Sequence, residues 1–284
     1  MKVFRKLLTL ALVGATAFSL MACGGSGKAS SGDSNTKVSN KKTKAVKNTD
    51  DVFIVGFDQN FPPFGYVGDD GEFTGFDIDL AKETAKRLGQ DISLQPIDWD
   101  AKDMELSSGT IDCIWNGFTI NGREDAYTWS DCYMDNAQVF VVKSNSGIKD
   151  NSGLKGKTVD VQKDSSAESA LNSDENKDLK NSFAQMISVA DYNTAMMDLE
   201  SGAVDAVAMD KFVALDQIKN KKDEFTILPD EISSEQYAVG FKKGNGALRD
   251  QVNKALHEMD EDGTFEKISK KWFGENVSIL GESK

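Results

Sequence analysis

The stretch Ile111-Asp-Cys-Ile-Trp-Asn-Gly-Phe-Thr-Ile-Asn-Gly-Arg123 changes from apolar to polar along its length. Its first half predicts a buried strand through Cys113–Trp115, and its second half is a turn that contains Gly117, Thr119 and Arg123. In open α/β sheets the carboxyl ends of the strands deliver ligand-contacting groups to a cleft. We therefore expect an α/β fold in which this strand end faces a carboxylate.

A second copy of this pattern occurs later in the chain. Leu106–Asn116 aligns without gaps on Leu199–Met209, and each copy combines a helix end, a glycine stop, an aspartate and a short buried strand. The first strand leads to Gly117 and the second to Asp210. We expect two similar halves, each bringing one strand end to a shared cleft.

Hydrophobic patterns and turn residues predict the other elements. A helix should begin with Asp77 as N-cap and end at Gly89. Further strands are predicted at Val52–Phe57, Ile92–Ile97, Ala137–Lys143, within Leu154–Gln162, and at Phe225–Leu228 and Gln236–Phe241. Further helices are predicted at about Asp100–Ser108, from Lys163 through Ala170, at about Ala247–Asp260, and after Gly263-Thr264.

The N-terminal 22 residues have the pattern of a signal peptide: a basic start, then the apolar run Leu7–Leu20. Leu20-Met21-Ala22-Cys23 resembles a bacterial lipobox, which predicts a lipid anchor at Cys23. The alternative is ordinary secretion with an incidental cysteine. Residues 23–50 are rich in Gly, Ser, Asn, Thr and Lys and predict a flexible tether.

Charge and cysteine content exclude several function classes. Residues 51–284 contain 24 basic and 44 acidic side chains, a net charge of −20, which argues against nucleic acid binding. The single histidine, His257, falls on the polar side of a predicted helix, so neither a metal site nor a histidine-based catalytic triad is expected. Cys113 and Cys132 form either a disulfide or two separate thiols.

The chain resembles the polar amino acid-binding proteins of ABC importers over about residues 52–274. The motifs that carry the resemblance are Asp58–Phe64, Gly75–Leu80, Asn116–Thr119 with Arg123-Glu124, Trp129-Ser130-Asp131, Leu154–Lys157 and Gly263–Gly274. Each motif is short, but together they follow the order and spacing of the family.

This resemblance implies a type II periplasmic-binding-protein fold, in which two α/β lobes joined by two hinge strands close on one amino acid. It places lobe 1 at 51–138 plus 238–277, lobe 2 at 143–233 and a tail at 278–284. The hinge strands would be about Gln138–Val142 and Gln236–Phe241. It also implies a monomer without cofactor or catalysis that serves a membrane permease, held by its lipid anchor outside the cytoplasm of a bacterium.

Carried over residue by residue, the resemblance makes Arg123 the bidentate partner of the ligand α-carboxylate and Asp210 the acceptor of the α-ammonium. The other positions that match contacts to these groups are Asn116, Gly117, Thr119, Ser165 and Ser166. Physical reasoning agrees, because a zwitterion needs a fork-shaped cation and an anion held apart. The alternatives are a surface ion pair for Arg123 and an ordinary exposed acid for Asp210.

The sequence defines the pocket for the ligand's side chain less closely than the contacts to its α-carboxylate and α-ammonium. Asp58, Phe61, Trp99 and Gln162 match pocket positions, although Trp99 would also suit the core. Since the sequence places no cation besides Arg123 to meet a side-chain carboxylate, glutamate and aspartate rank low as ligands, and glutamine, arginine, lysine and cystine remain open. An enzyme on the same scaffold, similar to cyclohexadienyl dehydratases, or a ligand-sensing domain, is the alternative function.

Overall fold

The computed structural model describes residues 52–281. The predicted signal peptide, Cys23 and the tether lie outside the described residues. Among the helices of 52–281, none is long and apolar enough to cross a membrane. Strands and helices are numbered below in chain order.

The first of two large sheets has five strands. They are β1 (Val52–Phe57), β5 (Asp91–Pro96), β6 (Cys113–Ile114), β7 (Thr128–Trp129) and β14 (Gly240–Phe241). Their order is β5-β1-β6-β14-β7, with β1 parallel to β5 and β6, and β14 antiparallel to β6 and β7. A small antiparallel sheet of β2 (Asn60–Phe61), β3 (Gly65–Val67) and β4 (Phe73–Thr74) follows β1.

The second large sheet has six strands. They are β8 (Met134–Lys143), β9 (Thr158–Gln162), β10 (Gln185–Val189), β11 (Ala206–Asp210), β12 (Phe225–Ile227) and β13 (Ser233–Tyr237). The order β10-β9-β11-β8-β12 holds three parallel strands, while β8 runs antiparallel to β11, β12 and β13. β8 is paired along its whole length, and its partner β13 leads into β14 of the first sheet.

Helices cover the sheets and bury their apolar stripes. They are α1 (Phe76–Leu88), α2 (Lys102–Ser108), α3 (Ser166–Asn172), α4 (Lys177–Ser182), α5 (Tyr192–Ser201), α6 (Lys211–Ile218), α7 (Gly246–Glu261) and α8 (Thr264–Phe273). The two sheets and their helices confirm the expected type II periplasmic-binding-protein architecture. Cys113 and Cys132 are separate thiols, and Cys113 is part of the buried core.

The predicted N-cap role of Asp77 is wrong. Gly75 occupies the cap position, where an added Cβ would lie 2.0 Å from the Phe64 carbonyl oxygen, so only glycine fits. Asp77 is instead fully buried in the first turn of α1. Its carboxylate accepts hydrogen bonds from the Gly117 N–H at 2.5 Å and from the Tyr133 hydroxyl at 2.9 Å, so it supports the turn after β6.

The predicted strand Gln236–Phe241 is in fact two strands. β13 starts earlier and pairs with the first half of β8, whereas β14 belongs to the first sheet. The chain therefore changes sheets at Ala238–Val239, which a single apolar run in the sequence does not reveal. β8 likewise begins three residues before the predicted Ala137.

The internal repeat has a structural counterpart. Gly109 and Gly202 both end their helices in the left-handed conformation. Asp112 then exchanges hydrogen bonds with Ile54, its carboxylate accepting from the backbone N–H at 2.8 Å. Asp205 does the same with Thr158 at 2.9 Å. Each aspartate thus fixes the start of its strand against the neighbouring strand.

Candidate functional site

Side chains of the two sheets meet at the strand ends that the repeat delivers. Three hydrogen bonds join the side of the first sheet to the side of the second: Gln162 to Asp58, Trp99 to the Asp164 carbonyl, and Arg123 to Ser166. The cleft is therefore closed, with both sides in direct contact.

Arg123 lies in the turn after β6 and reaches the start of α3. Its guanidinium donates to the Ser166 hydroxyl at 2.9 Å, to the Asp164 carbonyl at 3.1 Å and to the Thr119 carbonyl at 3.2 Å. The Phe118 ring lies 5.4 Å away, within cation–π range. Arg123 is thus positioned by neutral acceptors rather than by the surface ion pair considered as its alternative.

Asp164 presents the carbonyl that receives two donors from the other side of the cleft. Its φ of 57° is in the left-handed region, which aspartate tolerates better than most residues. This conformation turns the Asp164 carbonyl toward Arg123 and Trp99, whose Nε1 donates at 3.2 Å. The turn between β9 and α3 is therefore shaped by its contacts across the cleft.

Asp210, the last residue of β11, lies at the bottom of the cleft and is 4 % exposed. Its carboxylate accepts from the Tyr237 hydroxyl at 2.6 Å, the Gln138 amide at 2.8 Å, the Asn136 amide at 3.1 Å and the Tyr192 hydroxyl at 3.2 Å. Burial raises its pKa, and these donors oppose that effect. Asp210 is therefore a buried, hydrogen-bonded acid rather than an exposed one.

Glu235 is a site residue that the sequence analysis missed. It is 5 % exposed and accepts from the same two amides, those of Asn136 at 2.7 Å and Gln138 at 2.8 Å. Burial raises the pKa of Glu235 to about 8, and the charge of Asp210 acts in the same direction. The sequence signal for this part of the site was the pair of polar residues Asn136 and Gln138, which come just before the apolar run 139–142 of β8.

The turn after β6 contributes polar atoms that lack partners. The amide of Asn116 and the hydroxyl of Thr119 are buried without a hydrogen bond of ordinary geometry in the described structure. Gly117 has a φ of 56°, and an added Cβ would lie 3.0 Å from the Phe61 ring. Because its N–H donates to Asp77, its carbonyl is the group left for a ligand.

Ser165 and Ser166 differ in the groups they leave available. The Ser165 hydroxyl caps α3 by accepting from the Glu168 N–H at 3.1 Å, and its own N–H donates to the Gln162 carbonyl at 3.2 Å. Ser166 uses its hydroxyl to accept from Arg123. Ser165 therefore supports the helix start, while Ser166 contacts the guanidinium.

Two of the four predicted pocket residues line a cavity of about 630 Å³. Asp58 and Trp99 line it, and Gln162 donates to the Asp58 carboxylate at 2.8 Å. Phe61 packs between Phe64 and Tyr192 with centroid distances of 5.7 and 5.9 Å. Trp99 is buried as a core residue would be, and it also forms part of the cavity wall.

This cavity is strongly acidic. Its lining carboxylates are Asp58, Asp98, Asp100, Glu105 and Asp191. Lys163 also lines it and forms an ion pair with Asp100 at 2.8 Å, so a second cation besides Arg123 is placed where it could meet a side-chain carboxylate, contrary to expectation. Burial raises the pKa of Asp58, and Asp191 and Asp98 raise it further. The cavity therefore suits a ligand with a positive group.

The structure also describes His257 and the side chains that could bind a metal ion. His257 Nε2 lies 2.7 Å from the Asp131 carboxylate, and both side chains are exposed. No group of three or more His, Cys, Asp or Glu side chains able to hold a metal ion occurs within residues 52–281.

The chain is similar to two cystine-binding proteins and to a substrate-binding protein of known structure. The L-cystine-binding protein TcyJ of Escherichia coli K12 is 36 % identical over 233 residues, 80 % of this chain and 84 % of that protein. The L-cystine-binding protein TcyA of Bacillus subtilis 168 is 38 % identical over 80 % of this chain and 83 % of that protein. A crystal structure of an ABC uptake transporter substrate-binding protein from Streptococcus pneumoniae with bound histidine superposes with a TM-score of 0.78 at 34 % identity, covering 81 % of this chain and 96 % of that one.

The family model of bacterial extracellular solute-binding proteins, family 3, matches residues 53–275, which include every cleft residue described above. With the two-sheet fold, the closed cleft and these relatives, the chain belongs to the bacterial extracellular solute-binding proteins of family 3.

Proposed function

We propose that this protein captures one amino acid in the cleft between its two sheets outside the cytoplasm and delivers it to the permease of an ABC importer. The observation that carries this proposal is the pair Arg123 and Asp210, a guanidinium and a buried acid supplied by opposite sides of one cleft. Opposite charges held apart in a protein cleft are suited to a zwitterion. Family membership supports the same function.

In this proposal Arg123 binds the α-carboxylate and Asp210 binds the α-ammonium. The buried hydroxyl of Thr119 supplies a further donor to the carboxylate, and the Gly117 carbonyl accepts from the ammonium. To admit a carboxylate, Arg123 exchanges contacts with Ser166 for contacts with the ligand. Because Arg123 and Asp210 belong to different sides, a ligand that bridges them stabilises the closed state.

We propose L-cystine as the ligand. Its distal half carries a second ammonium and a second carboxylate, which need partners of both signs. The acidic cavity offers Asp58, Asp98 and Asp191 for the ammonium and Lys163 for the carboxylate. The two cystine-binding relatives support this choice.

Arginine or lysine is the second candidate. The same carboxylates favour a guanidinium or an ammonium at the end of a side chain, and Gln162 adds a neutral partner beside Asp58. A basic amino acid would leave Lys163 paired with Asp100. Glutamine would use Gln162 but would leave the surplus of negative charge uncompensated.

Isothermal titration against cystine, arginine, lysine, glutamine, histidine and glutamate tests the proposal. We expect cystine to bind more tightly than the others, and glutamate to bind least. Tightest binding of arginine or lysine would select the second candidate, whereas no binding of any amino acid would refute the function. Turnover of prephenate or arogenate would favour the alternative that the protein is an enzyme.

The cellular arrangement is part of the same proposal. Lipid attachment at Cys23 would hold the protein on the cell membrane through the tether at 23–50. Lobe 1 would comprise 51–138 plus 238–277 and lobe 2 would comprise 143–233, acting as a monomer. Intact mass spectrometry of the protein from bacterial membranes tests the anchor, because a diacylglyceryl group on Cys23 adds a defined mass, and a Cys23→Ala variant should be released from the membrane.

A further inference from the structure

Two buried carboxyl groups in this cleft share the same hydrogen-bond donors. Asn136 Nδ2 lies 3.1 Å from Asp210 Oδ1 and 2.7 Å from Glu235 Oε1, and Gln138 Nε2 lies 2.8 Å from each of these oxygens. All four side chains are at most 7 % exposed. Asp210 and Glu235 therefore belong to one compact network enclosed by protein.

Two carboxylates this close do not both ionise easily, because the second negative charge is buried beside the first. Asp210 is the better placed to carry the charge, since it also accepts from the hydroxyls of Tyr237 and Tyr192. Glu235 accepts from the two amides, and beyond them the Thr119 hydroxyl also lowers its pKa. The proton of the pair is thus held by Glu235.

The titratable groups around Glu235 reinforce this arrangement. Asp210 faces it from the end of β11, Tyr237 from its own strand and Tyr192 from α5. Asp174 and Glu175, from the segment before α4, line the cavity into which Glu235 opens. The charge of Asp210 disfavours ionisation of Glu235, and burial keeps the two tyrosines neutral at physiological pH.

We propose that Glu235 carries a proton in the free protein and releases it when the ammonium of the ligand binds Asp210, so that amino acid capture is coupled to proton release. The inference rests on the proposed role of Asp210. An ammonium supplies the positive charge that the proton supplied, which lets both carboxyls ionise around it.

This coupling has a definite direction. Burial and the charge of Asp210 raise the pKa of Glu235 to about 8. The Glu235 carboxyl is therefore protonated in the free protein at neutral pH. Since the complex holds fewer protons, affinity rises with pH below about 8, by up to about tenfold per pH unit. Loss of the ligand's own ammonium proton would act in the opposite direction.

Isothermal titration in buffers of different ionisation enthalpy measures the protons released per ligand. With L-cystine and L-arginine as probes at pH 7, we expect between about 0.5 and 1 proton released by the wild type. Glu235→Gln keeps the amide contacts but has no proton to lose. It should release fewer than about 0.2 protons, and its affinity should change less than about twofold between pH 5.5 and 7.5.

Glu231→Gln is the matched control, because Glu231 is an exposed glutamate next to β13 that pairs with Lys211 at 3.1 Å. This variant should release as many protons as the wild type. Equal heats in all buffers for the wild type, or wild-type proton release by Glu235→Gln, would overturn the proposal while leaving amino acid binding intact.

A measurement on the free protein separates this inference from the proposed function. With ¹³C-labelled glutamate, one carboxyl carbon should titrate above pH 7 and should be missing from Glu235→Gln. The selective label keeps Asp77, whose pKa burial raises to about 7, out of the spectrum. A Glu235 carbon that titrates near pH 4.5, the ordinary value, refutes the shared proton whether or not any amino acid binds.

Discussion

The two copies of the internal repeat are alike in structure and opposite in chemistry. Both end a helix at a left-handed glycine and fix an aspartate to the neighbouring strand. After the strands they diverge: the first continues through Gly117 into the turn that carries Arg123, and the second ends at Asp210, which leads directly into α6. The shared part builds the scaffold, and the few residues after each strand determine which charge enters the cleft.

Removing the positive side of this pair should have the largest effect. Arg123→Ala removes the fork that would bind the α-carboxylate together with three hydrogen bonds to neutral acceptors. We expect affinity for the tightest amino acid to fall by about 100-fold or more, because charge-assisted bidentate bonds are among the strongest polar contacts. Titration calorimetry measures this, and Arg123→Lys should restore only part of the loss. An affinity within threefold of wild type would remove Arg123 from the site.

Removing the negative side should have a smaller but still large effect. Asp210→Asn keeps the shape of the side chain and withdraws the charge that would bind the ammonium. We expect about 30- to 100-fold weaker binding, less than for Arg123→Ala, because Glu235 remains nearby as a substitute carboxyl. Equilibrium binding with the same ligand tests this. Unchanged affinity would show that the two strand ends do not act as a pair.

A substitution outside both copies of the repeat should change selectivity among amino acids. It should have less effect on binding of the α-ammonium and α-carboxylate that all of them share. Asp58→Asn removes a buried charge from the acidic cavity but retains a partner for Gln162. We expect affinity for cystine, arginine or lysine to fall by about tenfold and affinity for glutamine to change less than threefold. Competition binding against a labelled ligand measures the ratio. An equal loss for glutamine would place Asp58 in the scaffold instead.

Substitution of the two aspartates that fix the strands of the repeat should have the smallest effects. The two substitutions should also affect stability to a similar extent. Asp112→Ala and Asp205→Ala each remove a carboxylate that accepts from a strand N–H. Each should lower the free energy of unfolding by about 1–2 kcal/mol. Asp205→Ala also loses the contact of Lys157 at 3.1 Å, but both side chains of this ion pair are more than a third exposed, so it contributes little. Urea unfolding of both variants provides the comparison, and a difference of more than about 2 kcal/mol between them would break the structural equivalence.

Regular elements with a strong local pattern were predictable from the sequence. Val52–Phe57 is a strand with the predicted bounds, and α1 ends at Gly89 as expected. Asp77 was assigned wrongly because an aspartate near a helix start usually caps it, whereas here it is turned into the core to bind Gly117 and Tyr133. The partner of a buried acid lies far away in the sequence, so local patterns do not reveal it.

The candidate site was predictable where a motif or repeat marked it and not elsewhere. Arg123 and Asp210 follow strands whose pattern is visible in the sequence. Glu235 is not marked in this way, because it resembles any polar residue of a short strand until β8 brings Asn136 and Gln138 against it. Pairing between distant strands created this part of the site.

The sequence by itself determined the strands and helices with a strong local pattern, the repeat and the two opposite charges, because hydrophobic period, glycine stops and motif spacing are local properties. Only the tertiary structure decided that Asp210 and Glu235 share their donors, that Lys163 and Asp58 line one acidic cavity, and that Arg123 reaches the start of α3. These are contacts across a closed cleft, where the interactions depend on distance and burial rather than on separation along the chain.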